Sequence, residues 1–379
     1  MKQRPSGLEA IPLKRVSPTI NEVLRTCFLR VAFGLDPSFS EIKTASTYAS
    51  LGSVSHRLLE TACRGDFDLA PDDSVEKTIS DRWRELVVSE VESLQSLVIK
   101  PVPSPVKWPK YALRMVAACN TALRIVNQRK EAHSISATVP SACELKSEVW
   151  YEGYDGKLIG RIDLIHRDHS GIQIVDYKSG LVMENLDPNG GSQQIREPYV
   201  RQMLLYAALI HDNEGEWPTK ALIESLIDGA HEIKFTPEAA QDAVYEALYL
   251  LDKYNHKVDS GIINGAPSPN TCLWCNFKPI CVDFIKAADI SWAGPTRTII
   301  GQVTTIKIDP PQFCEVKVLG GNHEKGIAHI HGITSGMAME IKEVGNSQIS
   351  LSNLKPTPGT TDLLFTWSSM CWRWSSKTT

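Results

Sequence analysis

Residues 148–180 read EVWYEGYDGKLIGRIDLIHRDHSGIQIVDYKSG. Their alternation predicts two strands of a meander, about Leu158 to His166 and about Ile172 to Lys178, with a turn at Asp168-His169-Ser170-Gly171. Ile172, Ile174 and Val175 give the second strand the apolar density of a buried central position. Each strand also carries an acid in apolar company, Asp163 and Asp176. A buried carboxylate is costly unless it is paired or bound to a metal. Side chains two apart on a strand share a face, so Asp176 and Lys178 point the same way. Two carboxylates and a lysine converging at strand ends fit a Mg²⁺ site with a lysine to handle water.

Composition sets the frame around this stretch. The 379 residues are 42% hydrophobic and 22% charged, enough for a large core and two domains. No run is long and apolar enough to span a membrane, and the first residues lack the apolar core of a signal peptide, so a cytoplasmic protein is expected. The net charge of −4 does not advertise nucleic-acid binding, although a local basic channel and bound metal ions serve that purpose equally well. Nine cysteines in such a chain argue against a disulfide framework and direct attention to metal ligands.

Taken in order, residues 1–17 read as an irregular tail. A helix is predicted from Ser17-Pro18, a plausible N-cap and N1 pair. Its stripe holds Ile20, Val23, Leu24, Cys27, Phe28 and Val31. A second helix, Thr47 to Arg64, places His56 and Glu60 on one face. Residues 65–143 read as a helical insertion with a proline-rich joint. Lys100, Lys107, Lys110, Arg114, Arg124, Arg129 and Lys130 in it suit either a nucleic-acid path or a solvated helix face. Residues 181–198 form a polar Gly/Pro-containing loop that could cover the site. The helix from Tyr199 to about His211 sets Gln202 and Tyr206 on one face within apolar surroundings. A hairpin (221–227 and 231–235, Gly229 in the turn) and an amphipathic helix from Pro237 to Tyr254 follow.

The run Gly160-Arg161-Ile162-Asp163 … Ile174-Val175-Asp176-Tyr177-Lys178 resembles the RecB-type branch of the PD-(D/E)XK nuclease superfamily. That branch includes AddB and the CRISPR adaptation exonucleases. Gly52-Ser53-Val54-Ser55-His56 resembles its metal-binding Gly-x-x-x-His helix. Gln202-x-x-x-Tyr206 resembles the motif that contacts DNA near the scissile phosphate. The resemblance implies a restriction-endonuclease-like α/β core over residues 18–288. Asp163, Asp176, His56 and the Tyr177 carbonyl would hold Mg²⁺ or Mn²⁺, and Lys178 would orient or deprotonate water. Glu148, on the approach strand, would act behind these ligands. The implied activity is hydrolysis of single-stranded DNA from its ends. A duplex endonuclease and a DNA-end-binding or assembly subunit are the rivals. The chain contains no G-x-x-x-x-G-K-[ST] sequence, so unwinding would fall to a separate helicase or ATPase partner.

Cys272-x₂-Cys275-x₅-Cys281 puts three thiolates within reach of one metal centre, one short of a tetrahedral or cubane site. In the AddB-like relatives the same pattern joins an N-terminal cysteine to hold a [4Fe–4S] cluster, and the resemblance makes Cys27 that residue. Zn²⁺ on four thiolates is the alternative. Such a clasp would constrain the unfolded chain by about 5 kcal/mol if it acts as a cross-link. Cys63, Cys119, Cys143, Cys314 and Cys371 read as ordinary thiols.

From about Ser291 the periodicity changes to short strands: 297–308, 314–320, 326–332, 338–343, 348–353 and 363–367. Residues 291–379 are therefore expected to form a small all-β barrel of OB or SH3-like type. Its eight Lys/Arg against six Asp/Glu leave it slightly positive. Trp367, Trp372 and Trp374 suit base stacking, core packing or a protein interface. His329 and His331 alternate on one strand face and read as surface residues.

Overall fold

The computed structural model describes residues 2–3, 5, 7–71, 74–136, 143–185, 193–292, 294–345 and 347–374. The N-terminal stretch is tied down at two points. A short strand, β1 (Lys2–Gln3), pairs in parallel with residues 372–373, and the buried Val16 bridges to Leu158. The expected single helix after Ser17 is two: α1 (Pro18–Thr26) and α2 (Phe28–Leu35). Ser17 caps the first, its Oγ accepting from Ile20 N at 3.3 Å. The helix breaks at Cys27, whose extended backbone (φ −162°) makes it the N-cap of α2. Thr26 bonds back to Val23 O through its hydroxyl at 2.9 Å, and such β-branched residues favour helix ends over interiors.

The stretch expected as an insertion holds α4 (Val75–Leu97) and α5 (Tyr111–Ser136), which form a layer with the preceding α3 (Thr47–Arg64). Gly65, in the left-handed region at φ 84°, ends α3. Several of the insertion's basic residues serve the fold. Arg114 is buried and stacks its guanidinium 4.1 Å from the Tyr48 ring centroid. Arg129 donates to Cys63 O at 2.8 Å and pairs with Asp68. Lys100 donates to Phe365 O at 2.8 Å. This corrects the reading of these three as either a nucleic-acid path or a solvated helix face; Lys107 and Lys110 remain exposed.

The central sheet contains β2 (Cys143–Gly153), β3 (Leu158–Asp168) and β4 (Gly171–Lys178). A two-strand ladder, β5 (Met183–Asn185) with β6 (Gln193–Ile195), lies in the stretch expected to be loop; residues 186–192 fall outside the described residues. Then come α6 (Glu197–Glu214), β7 (Lys220–Ser225), β8 (Gly229–Glu232) and α7 (Pro237–Asp259). Gly229 opens β8 rather than sitting in the turn. The sheet order is β2-β3-β4-β7-β8. The β3–β4 pair is antiparallel and β4–β7 parallel, so α6 is the crossover that a parallel pair requires. One face buries Ile162, Ile174 and Ile223 against α1, α6 and α7. The other buries Leu164, Val175 and Tyr177 against α3, α4 and α5. The buried centre of β4 matches its continuous apolar run.

Two short helices, α8 (Pro269–Leu273) and α9 (Val282–Ala287), lead out of this layer. The last part comprises β9 (Arg297–Lys307), β10 (Phe313–Gly321), β11 (Gly326–His331), α10 (Ser335–Val344), β12 (Gln348–Pro356), β13 (Leu363–Leu364) and β14 (Met370–Trp374). Strands β9-β10-β11-β13-β12 form a ring closed by β12 pairing with β9. A closed five-strand barrel with this crossed order fits the OB type.

The barrel is not all-β. Residues 338–343, expected as a strand, lie in α10. Thr334 caps it, accepting from Met337 N at 3.2 Å, and Met337, Ala338 and Ile341 bury a helical stripe in the barrel core. Trp372 and Trp374 are buried, and Trp367 packs against the α3–α5 layer, which leaves these indoles to packing. Met370 and Trp372 share an apolar seam with Leu29, Phe33, Phe39, Ile42 and Ile280, so the barrel and the first domain have common core.

Candidate active site

The two acids and the lysine of the meander meet at the end of β4. Lys178 Nζ lies 2.6 Å from Asp176 Oδ2 and donates to Gln202 Oε1 at 2.8 Å. Gln202 Nε2 donates to Asp176 Oδ1 and to Tyr206 Oη, each at 2.9 Å. Four side chains from β4 and α6 thus form one continuous network. Asp163, on the neighbouring β3, accepts from Tyr177 N at 2.8 Å through Oδ2. This bond fixes the β4 backbone at the residue whose carbonyl faces the question of metal binding. Tyr199, one turn before Gln202, puts its ring 5.1 Å from Lys178 Nζ.

Two glycines explain how close these elements come. A Cβ at Gly160 would stand 2.8 Å from Leu209 Cδ1 and 2.9 Å from Tyr206 Cε1, so only glycine lets α6 lie this near β3. A Cβ at Gly52 would meet Ser179 Oγ at 3.1 Å. That contact is how α3 brings His56 over the end of β4. His56, Glu60, Glu148, Arg161, Asp163 and Ser179 line one polar cleft with Tyr48 as part of its wall.

Electrostatics in the cleft are dominated by burial. Asp163 is pushed up to about 8, first by burial and then by the Asp176 charge. Burial works against the Lys178 ammonium, but Asp176 outweighs it and the net direction is upward. Lys178 is therefore a cation at neutral pH. His56 is lowered by burial and by Lys178, so its imidazole is neutral there. Glu148 is raised by burial, with Arg161 opposing.

Glu148 occupies a backbone position that few residues tolerate, φ 54°. The flanking pairs Ser147–Leu164 and Val149–Ile162 set it opposite Asp163. Its Oε2 lies 2.7 Å from Arg161 Nε. Strained backbone of this kind concentrates at functional sites. Neither Arg161 nor Tyr199 was singled out by periodicity as a site residue. Arg161 was findable, because it stands two before Asp163 and so shares its face.

The cleft chemistry fits a divalent cation. Among the described residues, the buried carboxylate oxygens Asp176 Oδ2 and Glu148 Oε2 each face a single cation, Lys178 at 2.6 Å and Arg161 at 2.7 Å. Hard oxygen donors of this sort suit Mg²⁺ or Mn²⁺. Among the described residues, no three His, Cys, Asp or Glu side chains stand close enough to grip a metal as they are. Lys178, Gln202 and the Tyr177 amide hold the carboxylates instead.

The sequence profile of the PD-(D/E)XK nuclease superfamily matches residues 15–282. The chain belongs to this superfamily. Its core is therefore a restriction-endonuclease-like nuclease fold, and membership implies metal-dependent nuclease activity, generally with Mg²⁺ or Mn²⁺. No curated protein matches the chain. Among solved structures, "Crystal structure of SSO0001" is similar at 13% identity over 53% of this chain and 96% of that one, with a TM-score of 0.25. Among the described residues of this superfamily member, no helix is long and apolar enough to cross a membrane.

Away from the cleft, Cys27, Cys272, Cys275 and Cys281 line a single pocket. Cys27 reaches this pocket from the break between α1 and α2, where it is the N-cap of α2. Burial raises the thiols of Cys272, Cys275 and Cys281, the last to about 12. Arg30 and Lys278 line the same pocket. Four thiols beside two cations are a donor set that suits a thiolate-bound centre. The structure brings these cysteines together without drawing them to ligand distance. Among the described residues, Cys63, Cys119, Cys314 and Cys371 form no disulfide, and the Cys143 side chain falls outside the described residues.

Proposed function

We propose that this chain is a RecB-type deoxyribonuclease that degrades single-stranded DNA from its ends. The observation that carries this reading is the Lys178–Asp176–Gln202–Tyr206 network, whose Asp176 and Lys178 charges act on both His56 and Asp163 in the adjoining cleft. Asp163, Asp176, His56 and the Tyr177 carbonyl would hold one or two Mg²⁺ or Mn²⁺ ions. Such ions polarise a phosphate, lower the pKa of bound water and stabilise the leaving oxygen.

The chain's own side chains supply the rest. Lys178, held as a cation by Asp176, orients water and offsets charge on the phosphate. Gln202 holds both Lys178 and Asp176 by hydrogen bonds, accepting from the first and donating to the second. Tyr206 accepts from Gln202, which leaves its own O–H to donate to a phosphate oxygen of the strand. Neutral His56 offers a ring nitrogen to the metal.

Cys27, Cys272, Cys275 and Cys281 would carry a [4Fe–4S] cluster, with Zn²⁺ as the alternative centre for the same thiols. Their common pocket supports the clasp. The cluster would close the nuclease domain on itself and flank the path of one strand. A separate helicase or ATPase would supply unwinding, and the OB-type barrel offers a further surface for DNA or that partner.

The test gives the full chain Mg²⁺ and four substrates: linear and circular single strands, linear and closed duplex. Progressive loss of nucleotides from the linear single strand alone is expected. Cutting of either circle makes it an endonuclease. Binding of ends without cleavage makes it an assembly subunit.

A further inference from the structure

One large exposed aromatic side chain stands beside Arg161, a wall of the cleft. Trp150 lies on β2, the edge strand, and is 66% exposed. Its neighbours Val149 and Tyr151 pack toward the α6 core. Alternation therefore turns Trp150 to the opposite face, the one that carries Arg161 and Asp163. The register confirms it, because Trp150 and Arg161 are direct cross-strand partners. The Arg161 guanidinium carbon is 5.9 Å from the indole centroid, and its Nε is 2.7 Å from Glu148 Oε2. Arg161 and Glu148 are walls of the cleft itself. One guanidinium thus links an exposed indole to the candidate metal centre.

We propose that Trp150 and Arg161 form a subsite for an unpaired nucleobase and its adjacent phosphate. This rests on the nuclease reading of the cleft and deepens it. The indole offers a bare π-face at the rim, where any base can stack. The guanidinium both stacks and forks two donors toward a phosphate. Charge places the phosphate here. The cleft interior presents Glu60, Glu90 and Glu148, whose carboxylates repel a phosphate, and the other guanidinium of its lining, Arg57, pairs with Glu90 at 3.7 Å. Arg161 stands between those acids and the indole, and its side chain is half-exposed. A base inside a duplex has both faces covered by its neighbours. The subsite therefore selects single strands or frayed ends.

The experiment compares two oligomers of one length, an oligothymidylate and an abasic deoxyribose-phosphate chain. Ca²⁺ replaces Mg²⁺ so that binding is read without turnover. Trp150→Ala should weaken the thymidylate about 5- to 150-fold, the value of one base–aromatic stack, and leave the abasic chain unchanged. Trp150→Phe should recover most of the loss. Arg161→Gln should weaken both chains alike and flatten the salt dependence by about one phosphate contact. Equal loss on both chains with Trp150→Ala, or loss on neither, overturns the subsite while leaving the nuclease reading in place. A parent chain that binds neither oligomer and cuts no strand overturns both.

Discussion

Replacing Asp163 by Asn should make the metal-free protein more stable, although Asp163 is a candidate ligand. The carboxyl rises from an ordinary 3.8 to about 8, because it is buried and faces Asp176. The folded chain therefore holds this proton to higher pH than the unfolded chain does. Stability from this group is fully present below about pH 4, falls as pH rises toward 8, and is constant above that. At about 1.4 kcal/mol per pH unit, the ionisation penalty at pH 7 has a ceiling of about 4 kcal/mol. Coupling to Asp176 makes a gain of about 2 kcal/mol the expected size, a shift of several degrees in Tm for a domain this large. Asn keeps an oxygen to accept from Tyr177 N, so the β4 backbone stays fixed. Thermal unfolding of parent and variant with a chelator, from pH 4 to 9, reads the effect. The gap should be near zero at pH 4 and widen toward pH 8. A variant less stable than the parent at pH 8, or a gap that ignores pH, refutes the reasoning. Cleavage with Mg²⁺ should be lost in the same variant.

Lys178→Ala should keep most DNA affinity but lose about 10²–10⁴ in rate, as water-positioning groups typically do; cleavage at the parent rate by a folded variant would remove this strand from the active site. Gly160→Ala should push Tyr206 and Leu209 from β3, costing about 1–3 kcal/mol by overpacking, with lowered cleavage as the second readout. Arg114→Met should raise Tm, since its buried guanidinium has no hydrogen bond among the described residues and apolar replacement of uncompensated charge is stabilising; a fall in Tm would show that its stacking on Tyr48 is worth more than its desolvation costs. Cys27→Ala should lose iron, broad absorption near 400 nm and stability together. A colourless parent with stoichiometric zinc would reject the iron–sulfur centre.

The meander of the candidate site was legible because two periodicities coincide around it. Strand alternation fixed which way Asp176 and Lys178 point, and helical spacing did the same for Gln202 and Tyr206. Their contact at 2.8–2.9 Å follows from α6 being the crossover beside β4. Gly160 and Gly52 stood in the quoted motifs, but their use is a matter of closeness between elements, which spacing does not carry. The strained Glu148 was legible only as an acid on an approaching strand. Residues 338–343 misled because Ala338, Glu340 and Lys342 interleave with Met339 and Ile341, a strand-like pattern. The buried set Met337, Ala338 and Ile341 is helical, and the cap at Thr334 decides the matter. Trp372 stayed open between base stacking, core packing and a protein interface, since nothing in the last residues announces the distant seam it fills.

That seam has a consequence for how the protein is made. Leu29, Phe33, Phe39 and Ile42 leave the ribosome early, whereas Met370 and Trp372, which cover them, come more than three hundred residues later. At ordinary rates of synthesis the delay is on the order of tens of seconds. For that interval the half-made nuclease domain presents a greasy flank with no native cover. The nascent chain is thus a predictable client for a chaperone at that flank, and any stop in translation before residue 370 would release a product prone to aggregate through it.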